Sequence, residues 1–280
     1  MKKRIWKIAA MSAVVFLLLG LLWLGESLVG NPISKHLAQN AAQQHLETVY
    51  PGTDFVLDEV GYSFKDGGYY AHVTSPSSED SAFTLAFNHW GKFRWDSYED
   101  RVVHRENTAL RVDMEYRQLT KQVLSQIESY DPDGIQGARL ELDRRDWIQY
   151  EDCSPYTMAF EDLELDRVYD VGELGSQCGT VIFYVDTDDV TPEHAARLML
   201  EIRRVMDQAG VGFRGLDLVL REPLKENEPR DAGLQVEAFP YEDIFAEGLE
   251  ERILEAHLQL EEKYAAMDQE KAAEINEADK

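Results

Sequence analysis

From Ile8 to Leu24 the chain is almost wholly apolar: Ile-Ala-Ala-Met-Ser-Ala-Val-Val-Phe-Leu-Leu-Leu-Gly-Leu-Leu-Trp-Leu. Carried back to Ile5, the run holds about 20 residues, and at about 1.5 Å per residue a helix of that length crosses a hydrocarbon core of about 30 Å. A single segment satisfies all its backbone groups in lipid only as a helix. Lys2, Lys3, Arg4 and Lys7 precede the run, and Glu26 is the first charge after it. Positive charge stays on the cytoplasmic side, so the N-terminus is expected inside and the bulk of the chain outside. Trp6 and Trp23 bracket the run, as rings that prefer the headgroup layer do. A cleaved signal peptide has a shorter apolar core, about 7–15 residues, and a small-x-small cleavage site. Gly25-Glu26-Ser27-Leu28-Val29-Gly30 offers neither that site nor a cysteine for lipid attachment. The expectation is an uncleaved signal anchor over residues 1–30, in a single-pass protein of the cell membrane.

The remainder has the composition of a folded protein, with 44% apolar residues in the whole chain. The formal net charge is −25. Four of the 28 basic residues and none of the 53 acidic ones precede the apolar run, so the remainder carries −29. Nucleic-acid binding needs a cationic surface and is excluded as a partner class. An anionic lipid surface would also repel this exposed part. Cys153 and Cys178 could pair in an oxidising compartment if their Cα atoms came within about 7 Å. Two separate buried thiols is the favoured reading.

Asn31-Pro32 predicts a helix start, with Asn as cap and Pro at the first helical position. Ile33, Leu37, Ala41, Leu46 and Val49 give its stripe, and Tyr50-Pro51-Gly52 ends it. Alternation then predicts strands. Val56, Val60, Tyr62 and Phe64 share a face interrupted by Asp58. Lys65-Asp66-Gly67-Gly68 turns the chain. Tyr69, Ala71 and Val73 oppose Tyr70, His72 and Thr74. Phe83, Leu85 and Phe87 form the next apolar face, and Phe93 and Trp95 a short last segment. Residues 31–103 therefore read as a helix on an antiparallel meander of three or four strands. A connecting helix over 104–130 follows, with Val112, Tyr116, Leu119, Val123, Ile127 and Tyr130 at spacings of three and four.

Residues 131–280 read as a second α+β domain. A strand over 138–143 is expected. The stretch Asp143–Glu173 stays ambiguous apart from a short strand at Met158-Ala159-Phe160. Thr180–Val185 reads as a strand buried on both faces. Thr191-Pro192 caps a helix with the stripe Leu198, Ile202, Val205 and Met206, closed at Ala209-Gly210. Strands at Leu216–Arg221 and Leu234–Phe239 complete a β-α-β core with a third strand. A C-terminal helix is expected over Tyr241–Met267, with the stripe Phe245, Leu249, Ile253, Ala256, Leu260, Tyr264 and Met267.

Asn31-Pro32-Ile33-Ser34-Lys35, Tyr50-Pro51 and the run Gly61–Val73 resemble the YfjL-like proteins, and Leu218–Pro223 resembles the second half of that family. The resemblance implies a single-pass membrane protein of a Gram-positive bacterium with no established activity, and it supplies no catalytic residues. The order of elements in residues 31–103 is also similar to PepSY-like and cystatin-like modules.

Motifs with chemistry are few. Gly210-Val211-Gly212-Phe213-Arg214-Gly215 has the G-x-G-x-x-G spacing, but it follows a helix and precedes a strand, the reverse of a dinucleotide site. It reads as a helix stop. Asp186, Asp188 and Asp189 are the weak candidates for a hard cation; a turn favouring the next helix N-terminus is preferred, and no metal or cofactor is expected. Tyr62, Tyr70, His72, Trp90 and Trp95 are the candidate binding residues, since exposed amphipathic rings can anchor a peptide or sugar. The leading expectation is a non-catalytic binding or interaction module at the cell envelope, with an envelope protein or peptide as partner and the membrane held through the N-terminal helix. A surface hydrolase using acidic residues, or an anchored assembly subunit docking through its last helix, is the alternative.

Overall fold

A computed structural model describes residues 28–131, 134–148, 153–223 and 233–278, with the isolated positions 11, 14 and 25. The expected transmembrane segment lies outside the described residues, and among those described no helix is long and apolar enough to cross a membrane. The protein is α+β, with antiparallel pairing dominant in its sheets. The chain divides into two compact units. The first holds the residues up to Thr108 together with Glu164–Asp166; the second holds Ala109–Leu163 and Arg167–Lys280.

The first unit opens with α1 (Pro32–Val49), where the Asn31 side chain accepts from the Ser34 amide at 2.7 Å. The buried face is Ser34, Ala38, Ala42 and Leu46; of the expected stripe Leu46 is buried and Ala41 packs at the edge of the core. Ile33, Leu37 and Val49 are exposed instead. Small residues let the helix backbone approach the sheet, so the bulky side chains are turned outward. Four strands follow, β1 (Val56–Ser63), β2 (Gly68–Ser75), β3 (Ser78–Phe87) and β4 (Phe93–Asp96), in the order β1-β2-β3-β4. The register of β1 slips between Leu57 and Glu59, so a bulge sits at Asp58. An extra residue reverses side-chain parity. Leu57 therefore packs on the core while Val56, expected inward, is exposed. Val60, Tyr69, Ala71, Val73, Phe83, Leu85 and Phe87 fill the core beneath α1. Tyr69 also fixes the start of the helix: its hydroxyl accepts from the Asn31 amide at 2.8 Å and donates to the Asn31 carbonyl at 3.1 Å. Asp80 and Asp166 exchange amide-to-carboxylate bonds of 3.0 and 2.9 Å, which tie Glu164–Asp166 into this unit.

The division between units falls inside α2 (Glu106–Leu124), which is shorter at both ends than expected. The second unit contains β5 (Gly137–Leu140), β6 (Leu142–Asp143), β7 (Met158–Ala159), α3 (Val171–Cys178), β8 (Gly179–Asp186), α4 (Pro192–Ala209), β9 (Gly215–Arg221), β10 (Leu234–Pro240) and α5 (Leu249–Ala278). Its main sheet has the order β10-β9-β8-β5, and β8 and β9 are parallel around α4, the expected β-α-β. The strand expected over 138–143 breaks at Glu141, whose amide donates to Cys178 and whose carbonyl accepts from Met158. Val181, Phe183 and Val185 are buried but Ile182 and Tyr184 only half so, which corrects the expectation of a strand buried on both faces. Helix α3 falls within the ambiguous stretch; Asp170 caps it, accepting from Gly172 and Glu173 at 3.0 and 3.1 Å. Gly210 ends α4 at φ 68°, as a helix stop should. Gly175 and Gly212 let α3 lie against the connector that follows, where any Cβ on Gly175 would stand 2.3 Å from the Gly212 carbonyl oxygen. Helix α5 starts at Leu249 rather than Tyr241, after a short 3-10 turn and Gly248 at φ 67°. Phe245 thus precedes the helix, beneath the Arg252 guanidinium. The two cysteines are free: Cys178 is buried, while Cys153, expected buried, is half-exposed.

A charged cleft on the second sheet

Alternation along β5, β8, β9 and β10 sends Ala138, Val181, Phe183, Leu216, Leu218 and Val236 into the core beneath α4. The same alternation sends Arg139, Ile182, Tyr184, Asp217 and Glu237 to the other face. Those residues floor an open cleft of about 890 Å³. One face of α5 walls it, with Arg252, Glu255, Gln259 and Lys263 at helical spacing, and Cys153–Pro155 forms a rim.

Arg139 donates to Glu141 at 2.9 Å. Burial works against its charge, but the bond and the field of Glu141 carry its pKa above the ordinary arginine value. Asp217 is placed by a second bulge. The register of β10 slips between Val236 and Phe239, and Ala238 stands at φ 48°. That conformation is costly for a residue with a Cβ. It aims the Ala238 amide at the Asp217 carboxylate, 2.8 Å away, while Tyr156 donates to the Ala238 carbonyl at 2.9 Å. The Tyr156 ring in turn lies over Gly215, where a Cβ would stand 2.6 Å from it. Burial pushes the Asp217 carboxyl above the usual carboxylate range, with Glu141 and Glu237 adding to the rise and the Ala238 amide and Arg139 opposing it. Tyr264 donates to Glu237, and chiefly through that bond its phenol is pushed up to about 12. Lys263 has no ion-pair partner among the described residues. The cleft therefore combines several acidic side chains, of which Asp217 resists ionisation, with the basic side chains of Arg139, Arg252 and Lys263. It offers a ligand donors and acceptors of both signs.

The residues singled out from sequence are scattered by comparison. Tyr62 meets Tyr69 in a tilted contact at 5.1 Å, and a Cβ at Gly30 would strike its ring, so it packs the entry of the chain into the first unit. Tyr70 and Trp95 meet at 5.9 Å on the open face of that sheet, and Tyr70 donates to Asp66 at 2.8 Å. His72 is exposed on β2, and Trp90 stands on the turn between β3 and β4. Asp186 pairs with Arg221 at 2.7 Å. Asp189 accepts from Thr191 at 2.7 Å and Arg197 at 3.1 Å, which holds its carboxyl below the usual range through the Thr191 bond first. These two serve the start of α4 and the end of β8. Among the described residues no three His, Cys, Asp or Glu side chains gather closely enough to hold a metal ion.

The cleft residues Arg139, Glu141, Asp217 and Glu237 were not singled out. A signal was present for two of them: Arg139 and Asp217 are charges flanked by inward-facing apolar residues of a strand, Ala138 and Leu140, and Leu216 and Leu218. Recognising them needs the pairing of four strands, which periodicity alone does not give.

Comparison with known families matches residues 2–97 to the YfjL-like N-terminal domain and residues 115–254 to the YfjL-like C-terminal domain. No curated protein and no solved structure matches.

Proposed function

The chain belongs to the YfjL-like family, and we propose that it is a membrane-tethered binding protein whose ligand site is the charged cleft of the second unit. The apolar run and its basic flank support the tether, with the folded body outside the cytoplasm. The reading of the cleft is carried by one observation: charges of both signs from β5, β9, β10 and α5 converge on one open surface. An extended polar ligand of mixed charge, such as a peptide segment of an envelope protein, matches that lining. A closed apolar pocket, as small hydrophobic ligands require, does not.

The test is photo-crosslinking from position 184 in the full-length protein in its native membrane. The expected result is a discrete adduct that weakens when Lys263→Glu is introduced. Adducts identical to those from position 72 would overturn the assignment. Protease added to intact protoplasts should degrade the folded body; survival until lysis would reverse the topology.

A second reading is an acid–base hydrolase. Its support is Asp217, whose carboxyl is raised first by burial and then by the fields of Glu141 and Glu237, since a carboxyl that holds its proton can serve as a general acid. Turnover of a peptide or glycan library, abolished by Asp217→Asn with binding retained, would favour it.

A further inference from the structure

The first unit carries a surface unlike the rest of this acidic chain. The chain has 53 acidic residues among 280, yet none lies between Ser27 and Leu46 or between Ser81 and Trp95. The fold brings these two stretches together. Gly91, at φ 72°, lies so close to α1 that a Cβ there would stand 2.9 Å from the Leu37 carbonyl oxygen. The turn bearing His89, Trp90 and Lys92 therefore abuts the outward face of α1. Large apolar groups are exposed on both sides: Ile33 is 75% exposed, Leu37 40% and Trp90 73%. Lys92 is exposed on the turn beside Trp90. Asn88 holds the turn rigidly, accepting from the amides of Trp90 and Lys92 at 2.9 Å each.

This surface stands where the chain enters the unit. Tyr69 and Tyr62 pin Asn31 and Gly30, six residues after the end of the apolar run at Leu24. Six residues span at most about 20 Å. Leu28 and Val29, between the run and the pinned glycine, are themselves exposed and apolar. We infer that the face formed by Ile33, Leu37 and Trp90 rests in the headgroup–acyl boundary of the lipid bilayer, with Lys92 reaching lipid phosphates.

The chemistry matches that occupant. Tryptophan prefers the interface, and lysine extends its stem along apolar surface while its ammonium stays in the polar layer. A body of net charge −29 is repelled by anionic lipid, so a face built from two stretches without acidic residues is the one best able to approach. Contact there would orient the first unit on the membrane rather than leave it hanging from a free tether. The inference rests on the tethered reading above, and the experiment separates the two.

Single cysteines for an environment-sensitive fluorophore are placed at Ile33, Trp90, His72 and Val14 in the full-length protein carrying Cys153→Ser. Cys178 is left in place, because burial pushes its thiol up to about 12 and it stays unlabelled. The protein is reconstituted into phosphatidylglycerol–phosphatidylethanolamine vesicles. Labels at 33 and 90 should emit blue-shifted relative to position 72 and be quenched by lipids brominated near the headgroup end of the acyl chain. Labels at 33 and 90 that match position 72, while position 14 reports lipid, would overturn the inference and leave the tether standing. A position 14 label that reports water would overturn both. All three ectodomain positions are exposed, so the labels do not disturb the core.

Discussion

Helix α1 closes the sheet of the first unit with Ser34, Ala38, Ala42 and Leu46, whereas α4 closes the main sheet of the second with Leu198, Met199, Ile202, Val205 and Met206. In the first case bulk comes from the strands, through Tyr69, Phe83 and Phe87, and the helix comes close. In the second the helix supplies the bulk. The outer faces differ as well. The first sheet presents Tyr70, Trp95 and His72 with Glu59 opposite His72, groups open to water. The second half-buries Arg139, Glu141 and Asp217 and keeps Ala238 in a strained conformation to serve one of them. Half-buried charge opposes folding unless it is compensated. Both sheets carry a bulge, and the first buries Asp80, but there the carboxylate is tied to the Asp166 amide inside the unit. Only in the second sheet does a strained backbone hold a raised carboxyl on an open cleft, which marks it as the place where stability has been traded for a site.

The helices give the largest tests. Ile202 is fully buried, and Ile202→Ala should cost about 2–5 kcal/mol in equilibrium denaturation, the usual cost of a core cavity. A loss below 1 kcal/mol would mean that α4 is not the source of bulk in its unit. Arg139→Ala removes the charged partner of Glu141 and the nearest cation to Asp217. It should cost about 1.5–3 kcal/mol, the range of a hydrogen bond to a charged group. A neutral result would mean that the network is solvent-screened decoration. In the first unit the sign of the size effect reverses. Ala42→Leu adds volume where the helix is close, and should destabilise by about 1–3 kcal/mol through overpacking. If it stabilises, α1 has room to spare and the contrast between the helices fails.

Much of the architecture was legible because local chemistry dictated it. Asn31-Pro32, Thr191-Pro192 and Gly210 mark helix ends by capping and by left-handed backbone, and Lys65-Asp66-Gly67-Gly68 marks a hairpin. What was not legible depended on contacts distant in sequence. The apolar stripe of Ile33 and Leu37 has the look of a buried face, yet over the first three turns the sheet accepts only Ser34, Ala38 and Ala42, and Leu46 fills the end. The bulge at Asp58 left Val56 outside. Helix α3 was hidden by Gly172 and Gly175, poor helix formers that its packing against Gly212 requires. The cleft was missed for a similar reason: Arg139, Asp217 and Glu237 are far apart in sequence, and only the order β10-β9-β8-β5 places them on one floor.

The smallest effect is also the most specific to the cleft. Asp217 has a native pKa above the ordinary carboxylate value, first because of burial and then because of Glu141 and Glu237. The folded state therefore holds a proton that the unfolded state releases. Stability contributed by that proton is present at low pH and is lost as pH rises from the unfolded value, about 3.9, through the raised native one. One group can impose a slope of at most about 1.4 kcal/mol per pH unit across that window. Asp217→Asn keeps an acceptor for the Ala238 amide and removes the titration. The difference in stability between the wild type and the variant, measured by denaturation from pH 4 to pH 8, should shift against the wild type as pH rises and then become constant. Taking the difference cancels the exposed carboxyls Asp54, Asp66 and Asp189, whose hydrogen bonds lower their pKa values and give slopes of opposite sign. A difference that stays flat would mean that water and Arg139 fully compensate Asp217, and the second sheet would then carry no more stored charge than the first.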